Sequence, residues 1–228
     1  MSIVPKEANL PTYMENGDHL TAEEFLHAWE HMPDVKHAEL LEGRVYMNPA
    51  SVNYSHARPH AIITAWVAIY EAGTPFTETS LTPSVKLDSR NIPEPDVVLR
   101  LMDGLGGSSS WENILLGPVE LAIEISNTST SKDVYEKREL YERTGVREYL
   151  IWRTAAGEFD HFVREANLTE RFERKVYRDG IIKSVVFPGL WLDVEAALAY
   201  DTKKVIERLN EGLASPEHAS YLQNRSSH

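Results

Sequence analysis

PEPDVVL at 93–99, VELAIEIS at 119–126 and KDVYEKRELYERTGVREYLIW at 132–152 decide how this chain folds. The first two are short apolar runs, each carrying one carboxylate, Asp96 and Glu124. The third holds a helical stretch with Lys137 and then another apolar run, VREYLIW. Strand, helix and strand over 119–152 form a βαβ unit, which favours a right-handed crossover and parallel strands. The expected fold is therefore α/β, a mixed β-sheet with this crossover at its centre and helices flanking it.

Two-residue alternation puts Glu120, Ala122 and Glu124 on one face of their strand and Leu121, Ile123 and Ile125 on the other. A carboxylate in the middle of LAIEI is costly to bury without a partner, and a metal ion or a lysine would compensate it. Asp96 opens the preceding strand, directly after Pro95. Lys137 falls in the second turn of a helix that Thr130 caps and Gly145 ends near Thr144, with Asp133 and Tyr141 four residues to either side. Hard oxygen donors suit Mg2+ or Mn2+, which bind one or two carboxylates, waters and a substrate phosphate. Such an ion would polarise a phosphodiester and acidify a bound water, and Lys137 would orient the nucleophile or neutralise charge in the transition state. Glu39, in an early hairpin, is a third candidate acid. Each of these residues is unremarkable alone: Pro-Asp is common turn chemistry, and lysines are common on solvated helix faces. Their order on adjoining elements gives them weight together.

Outward from this block, Thr21 and Glu24 have capping-box spacing at the start of a helix over about 21–31. AELLEGRVYM at 38–47 reads as a hairpin turning at Glu42-Gly43, and 55–72 as a helix with an alanine and isoleucine stripe that stops at Gly73. TPFTETS, PSVKLD and PDVVLR are short strands, and 101–118 is a Gly/Ser-rich loop long enough to suggest function, for instance as a lid. EFDHFVRE, RFERKVY and SVVF are amphipathic strands, 193–212 is helical and 213–228 reads as disordered. The expected organisation is a flexible arm over 1–19, a domain over 20–200 and a C-terminal helix and tail over 201–228.

The chain has no cysteine, which excludes disulfides, thiolate zinc, iron–sulfur clusters and a Cys nucleophile. No apolar run approaches 18 residues and no signal-peptide pattern opens the sequence, so a cytoplasmic protein is expected. No phosphate-binding G-x-x-x-x-G-K-[ST] and no H-E-x-x-H occurs. His56 and His60 have the i, i+4 spacing of helical metal ligands, but no strand or loop acid is clearly aimed at them. Trp66, Trp111, Trp152 and Trp191 read as core or loop anchors. The net charge of −12 opposes tight non-specific DNA binding, which rests on phosphate neutralisation.

Over about 20–200 the sequence resembles the Uma-two family of restriction endonucleases, within the PD-(D/E)xK nuclease superfamily. The resemblance is carried by AELLEGRVYM, Ser55-His56, PEPDVVL, the long block from ELAIEIS to REYLIW, and FPGLWLDV. It implies a restriction-endonuclease-like fold, with Asp96 as the acid of the PD element, Glu124 as the second acid and Glu39 as an early acid, these binding the metal. The lysine two positions after the second acid is missing, since Ser126 stands there. The resemblance makes Lys137, from the following helix, its replacement, and His56 matches a recurrent histidine. The implied activity is Mg2+- or Mn2+-dependent cleavage of DNA, with homodimerisation as one route to double-strand cuts. Ser126 and the acidic charge keep two alternatives open: a non-catalytic binding or regulatory module, and a hydrolase of a small phosphorylated or nucleotide substrate.

Overall fold

Apolar alternation in the central strands forces both faces of one sheet to be covered, and the chain supplies helices for each. The computed structural model describes residues 10–47, 53–127, 131–164 and 171–225. In chain order its elements are α1 (Ala22–Glu30), β1 (Ala38–Leu41), β2 (Arg44–Met47), α2 (Tyr54–Gly73), β3 (Thr77–Leu81), β4 (Val85–Lys86) and β5 (Val97–Leu101). There follow β6 (Ser110–Trp111), β7 (Leu115–Leu116), β8 (Leu121–Ser126), α3 (Ser131–Thr144), β9 (Glu148–Arg153), β10 (Glu158–Val163) and β11 (Glu173–Lys175). The last are β12 (Ile181–Lys183), β13 (Trp191–Asp193), α4 (Val194–Leu198), α5 (Thr202–Leu213) and α6 (Pro216–Arg225).

The main sheet has six strands in the order β11-β10-β9-β8-β5-β3. The β8–β9 pair is parallel, joined through α3, and lies at the centre; its neighbours pair antiparallel. The expected mixed sheet with a central βαβ crossover is thus present. One face packs Val97, Leu99, Leu121, Ile123, Leu150 and Trp152 against Ile62, Ile63 and Trp66 of α2 and Val205 and Leu209 of α5. The other packs Val98, Ala122, Tyr149 and Ile151 against Tyr141 of α3. A third core joins α1 and the β1–β2 hairpin to Ile92 and Met14. The hairpin turns at Glu42 and Gly43, both at positive φ (52° and 78°), as a type I′ turn requires. Thr21 and Glu24 form the expected capping box of α1.

Several expectations need correction. Residues 216–225 form α6 rather than a disordered tail: the buried His218 ring lies 2.9 Å from both Thr74 Oγ1 and Leu213 O, and Trp191 Nε1 donates to Glu217. The 1–19 arm is not loose over its described part, because Met14 is fully buried and His19 bridges to Arg44. The 101–118 loop is tied down: Glu120 accepts the Leu101 and Ser108 amides, Arg100 donates to Ser109 O, and β7 pairs with β4 while β6 pairs with β7. SVVF is no strand, because its polar groups turn inward to a buried acid. The proposed Thr130 cap and the Asp133 side chain lie outside what is described.

That acid is Glu148, wholly enclosed at the start of β9. Its carboxylate accepts from Ser184 Oγ (2.7 Å), Val186 N (2.8 Å) and Val185 N, with His161 Nε2 at 3.6 Å. Burial pushes its pKa upward, but His161, Ser184 and the Val186 amide outweigh burial and hold it below the usual value. Removing these acceptors orphans several buried donors. Glu148→Ala is expected to cost about 3 kcal/mol at pH 7 in urea unfolding. A depressed carboxylate stabilises above its unfolded pKa and loses that contribution as pH falls through the folded value. The gap between wild type and variant should therefore shrink below pH 4.5.

Candidate functional site

Strand pairing brings the two acids together. β5 and β8 are antiparallel with Val97 opposite Ile123, so one further step of the register sets Asp96 opposite Glu124. Opposed residues of an antiparallel pair share a face. The contact is tightened by the backbone, because Asp96 Oδ2 accepts from Ile125 N at 2.7 Å. Glu124 lies on the side that α3 covers, as the alternation of its strand predicts.

Lys137 enters from α3 between two acids. Its Nζ lies 2.8 Å from Glu124 Oε1 and 2.6 Å from Glu39 Oε1, and all three side chains are less than 15 % exposed. Glu39 Oε1 also accepts from Glu94 N at 2.7 Å, so it ties Lys137 to the backbone leading into Asp96. Tyr141, one turn beyond Lys137, reaches Glu124 Oε1 at 3.4 Å. Among the described residues nothing donates to Glu124 Oε2.

His56 approaches from α2. Its Nδ1 lies 3.0 Å from Ile125 O and its Nε2 3.3 Å from Asp96 Oδ1. A carbonyl accepts only, so Nδ1 carries a proton and Nε2 faces the carboxylate. Contact with Asp96 raises the His56 pKa against the opposing effect of burial. His60, one turn on, places Nε2 3.2 Å from Asp96 O. The histidine pair therefore addresses Asp96 from the strand end, an aim that the sequence did not reveal.

The electrostatics separate the two strand acids. Burial would raise the Asp96 pKa, but the His56 hydrogen bond and charge, the Ile125 amide and Lys137 bring it below the usual value. For Glu124 burial prevails: Lys137 opposes it, while Asp96 and Glu39 reinforce it, and the pKa is pushed up to about 8. Burial would also discharge Lys137, yet Glu124 and Glu39 hold it well above its usual value. Glu124 and Glu39 thus share one ammonium while Asp96 faces His56, and the set is short of positive charge.

That deficit, together with the open Glu124 oxygen, suits a hard cation that takes one or two carboxylates and keeps its waters. Among the described residues no three His, Asp or Glu side chains close on one point as a complete protein cage would. One further residue escaped the sequence reading. Glu94, in the PEPD turn, is buried beside Glu39 and bonded to Ser84 Oγ (3.0 Å) and His37 Nδ1 (3.3 Å); burial raises its pKa to about 7. The one available signal was an acid held between two prolines.

Comparisons with known proteins identify the family and the fold. A family model, Uma2, described as "Putative restriction endonuclease", matches residues 22–195. The fold is similar to the crystal structure of a putative nuclease belonging to DUF820 from Anabaena variabilis ATCC 29413, with a TM-score of 0.59 and 17 % identity. That similarity covers 79 % of this chain and 98 % of the other and supports a restriction-endonuclease-like fold. No curated protein matches the chain. Among the described residues no helix is long and apolar enough to cross a membrane.

The raised Glu124 pKa has a definite sign. The folded protein holds a proton that the unfolded chain releases, so the stabilisation is full below 4.5 and is lost as pH rises through about 8. Glu124→Gln cannot ionise. In metal-free buffer its Tm should improve relative to wild type as the pH is raised from 5 to 9, a trend that calorimetry at three pH values would check.

Proposed function

Since the chain belongs to the Uma2 family, described as "Putative restriction endonuclease", we propose that it is a metal-dependent nuclease cleaving DNA phosphodiester bonds. The observation that carries this reading is the convergence of Asp96, Glu124 and Lys137, delivered by two paired strands and the crossover helix. In this reading Asp96 and Glu124 hold Mg2+ or Mn2+, which when bound supplies Lewis acidity toward the phosphate and a more acidic water. Glu39 completes the acid set.

The chain's own groups have separable tasks. Lys137 keeps its proton because Glu124 and Glu39 face it, so it serves as a fixed positive charge beside the reacting phosphate rather than as a base. Glu39 fixes the ammonium's position through its second bond, to the Glu94 amide. His56 bridges Asp96 and the Ile125 carbonyl, so it fixes the orientation of the first acid against the strand that carries the second. Tyr141 holds Glu124 from the α3 side.

In this reading Lys137 of α3, whose Nζ lies 2.8 Å from Glu124 Oε1, stands in for the lysine that Ser126 replaces on the strand. The decisive experiment compares wild type, Asp96→Asn and Lys137→Ala on plasmid and single-stranded DNA with Mg2+ or Mn2+. Both variants are expected to lose about a hundredfold or more in rate. Equal cleavage by all three proteins would reject the assignment.

A further inference from the structure

Ile125, the residue after the second acid, spends both of its backbone groups on side chains. Its N–H donates to Asp96 Oδ2 at 2.7 Å, and its carbonyl accepts from His56 Nδ1 at 3.0 Å. Each side chain is thus held by its far atom to the same strand residue. The near atoms, Asp96 Oδ1 and His56 Nε2, face each other at 3.3 Å. The two side chains are 13 % and 25 % exposed, so solvent and ions can reach them.

This arrangement does more than orient Asp96. An imidazole that binds a metal through one nitrogen gives its other N–H to a carbonyl or carboxylate, and a ligating carboxylate is itself hydrogen-bonded. His56 and Asp96 both meet that condition, and one backbone residue supplies both second bonds. The spacing fits as well. Adjacent donors on one octahedral ion, with bonds of about 2.1 Å, stand about 3 Å apart. His60, one turn on, differs: its Nε2 lies 3.2 Å from the Asp96 carbonyl oxygen, which only accepts, so that nitrogen carries a proton and has no lone pair to give. Without an ion, a proton on His56 Nε2 fills the gap to Asp96; an ion takes its place and the proton leaves to solvent.

We propose that His56 is itself a ligand of the ion, through Nε2 and beside Asp96 Oδ1, and that the site therefore selects a transition-metal ion over Mg2+. This rests on the nuclease reading above, which puts a divalent ion on Asp96 and Glu124, and it specifies which ion. Mg2+ keeps to oxygen donors and water, whereas a mixed nitrogen and oxygen set favours first-row transition metals. His56 and Asp96 supply two donors, and the other positions fall to Glu124, water and substrate. Such open coordination suits a hydrolytic ion and agrees with the lack of a complete protein cage among the described residues.

The test uses the full-length protein without substrate. Wild type, His56→Gln, His60→Gln and Asp96→Asn are titrated with MnCl2 and MgCl2 by calorimetry. Their Mn2+ complexes are measured by electron spin-echo spectroscopy, which detects nitrogen bonded to the ion. Wild type is expected to bind Mn2+ at least about tenfold tighter than Mg2+ and to show a coupled nitrogen that 15N-labelled histidine shifts. His56→Gln should weaken Mn2+ binding about tenfold or more, leave Mg2+ within about threefold and abolish the coupling, which His60→Gln should keep. A histidine that only positions Asp96 would lower both affinities alike. That result, coupling that survives His56→Gln, or a wild-type Mn2+ complex with no coupled nitrogen overturns the proposal; the last needs no variant and so no assumption about folding. In each of these cases the metal reading itself stands if Asp96→Asn loses both ions with unchanged circular dichroism. Wild type that binds neither ion rejects both.

Discussion

The register between β5 and β8 is the constraint on which the site depends. With Val97 opposite Ile123, the residue before β5 meets the fourth residue of β8, and both carboxylates emerge on the face that α3 covers. A slip of one residue would turn every side chain of the shifted strand to the other face. Leu121, Ile123 and Ile125 would then leave the α2 core, which makes the slip expensive for the whole domain. The packing that stabilises the fold thus also fixes the distance between the two acids. Pro95 has no amide hydrogen to offer where the ladder ends, so Ile125 O pairs with His56 Nδ1 instead, while Ile125 N donates to the Asp96 side chain.

Lys137 couples that pair of strands to the remaining elements. An ammonium enclosed by protein needs carboxylate partners, and carboxylates so enclosed need a cation. α3 is therefore held against β8 by Glu124 and against the β1–β2 hairpin by Glu39. Through the Glu94 amide, Glu39 reaches the turn that leads into β5. Three segments distant in sequence are tied to one another at a point about the size of a carboxylate cluster. This gives the early hairpin a reason to accompany the sheet, although it forms a separate two-stranded sheet with its own core.

The elements whose evidence was local were legible in the sequence. Alternation in LAIEI, the cap at Thr21, the Glu42-Gly43 turn and the Gly145 stop depend on neighbours within a few residues, and each appears as expected. The helical position of Lys137 followed from its distance after the strand. The misreadings have a common cause, a distant polar partner. SVVF reads as a strand, yet Glu148, 36 to 38 residues away, takes its Ser184 hydroxyl and its Val185 and Val186 amides. The 101–118 stretch reads as a Gly/Ser-rich loop, yet it contains β6 and β7, and Glu120 and Arg100 hold it. The C-terminal segment lacks a strong apolar stripe, yet His218 docks it through Thr74, 144 residues earlier. Periodicity cannot see such bonds, because a single buried acceptor or imidazole leaves no repeating pattern. The aim of His56 and His60 at Asp96 was hidden for the same reason.

Burial of an acid does not by itself mark a site in this protein. Glu148 and Glu120 are as enclosed as any residue in the chain, and both serve as architecture. Their oxygens are taken up by amides and hydroxyls of the segments they anchor. For Glu148 the outcome is a pKa below the usual value despite complete burial, because donors and His161 satisfy the charged form. Glu124 is the opposite case. Burial is not offset: Lys137 is shared with Glu39, and Asp96 and Glu39 add like charge, so the pKa rises to about 8. The distinction lies in the balance of charge around each acid, and it singles out the place where two strands, a helix and a hairpin meet.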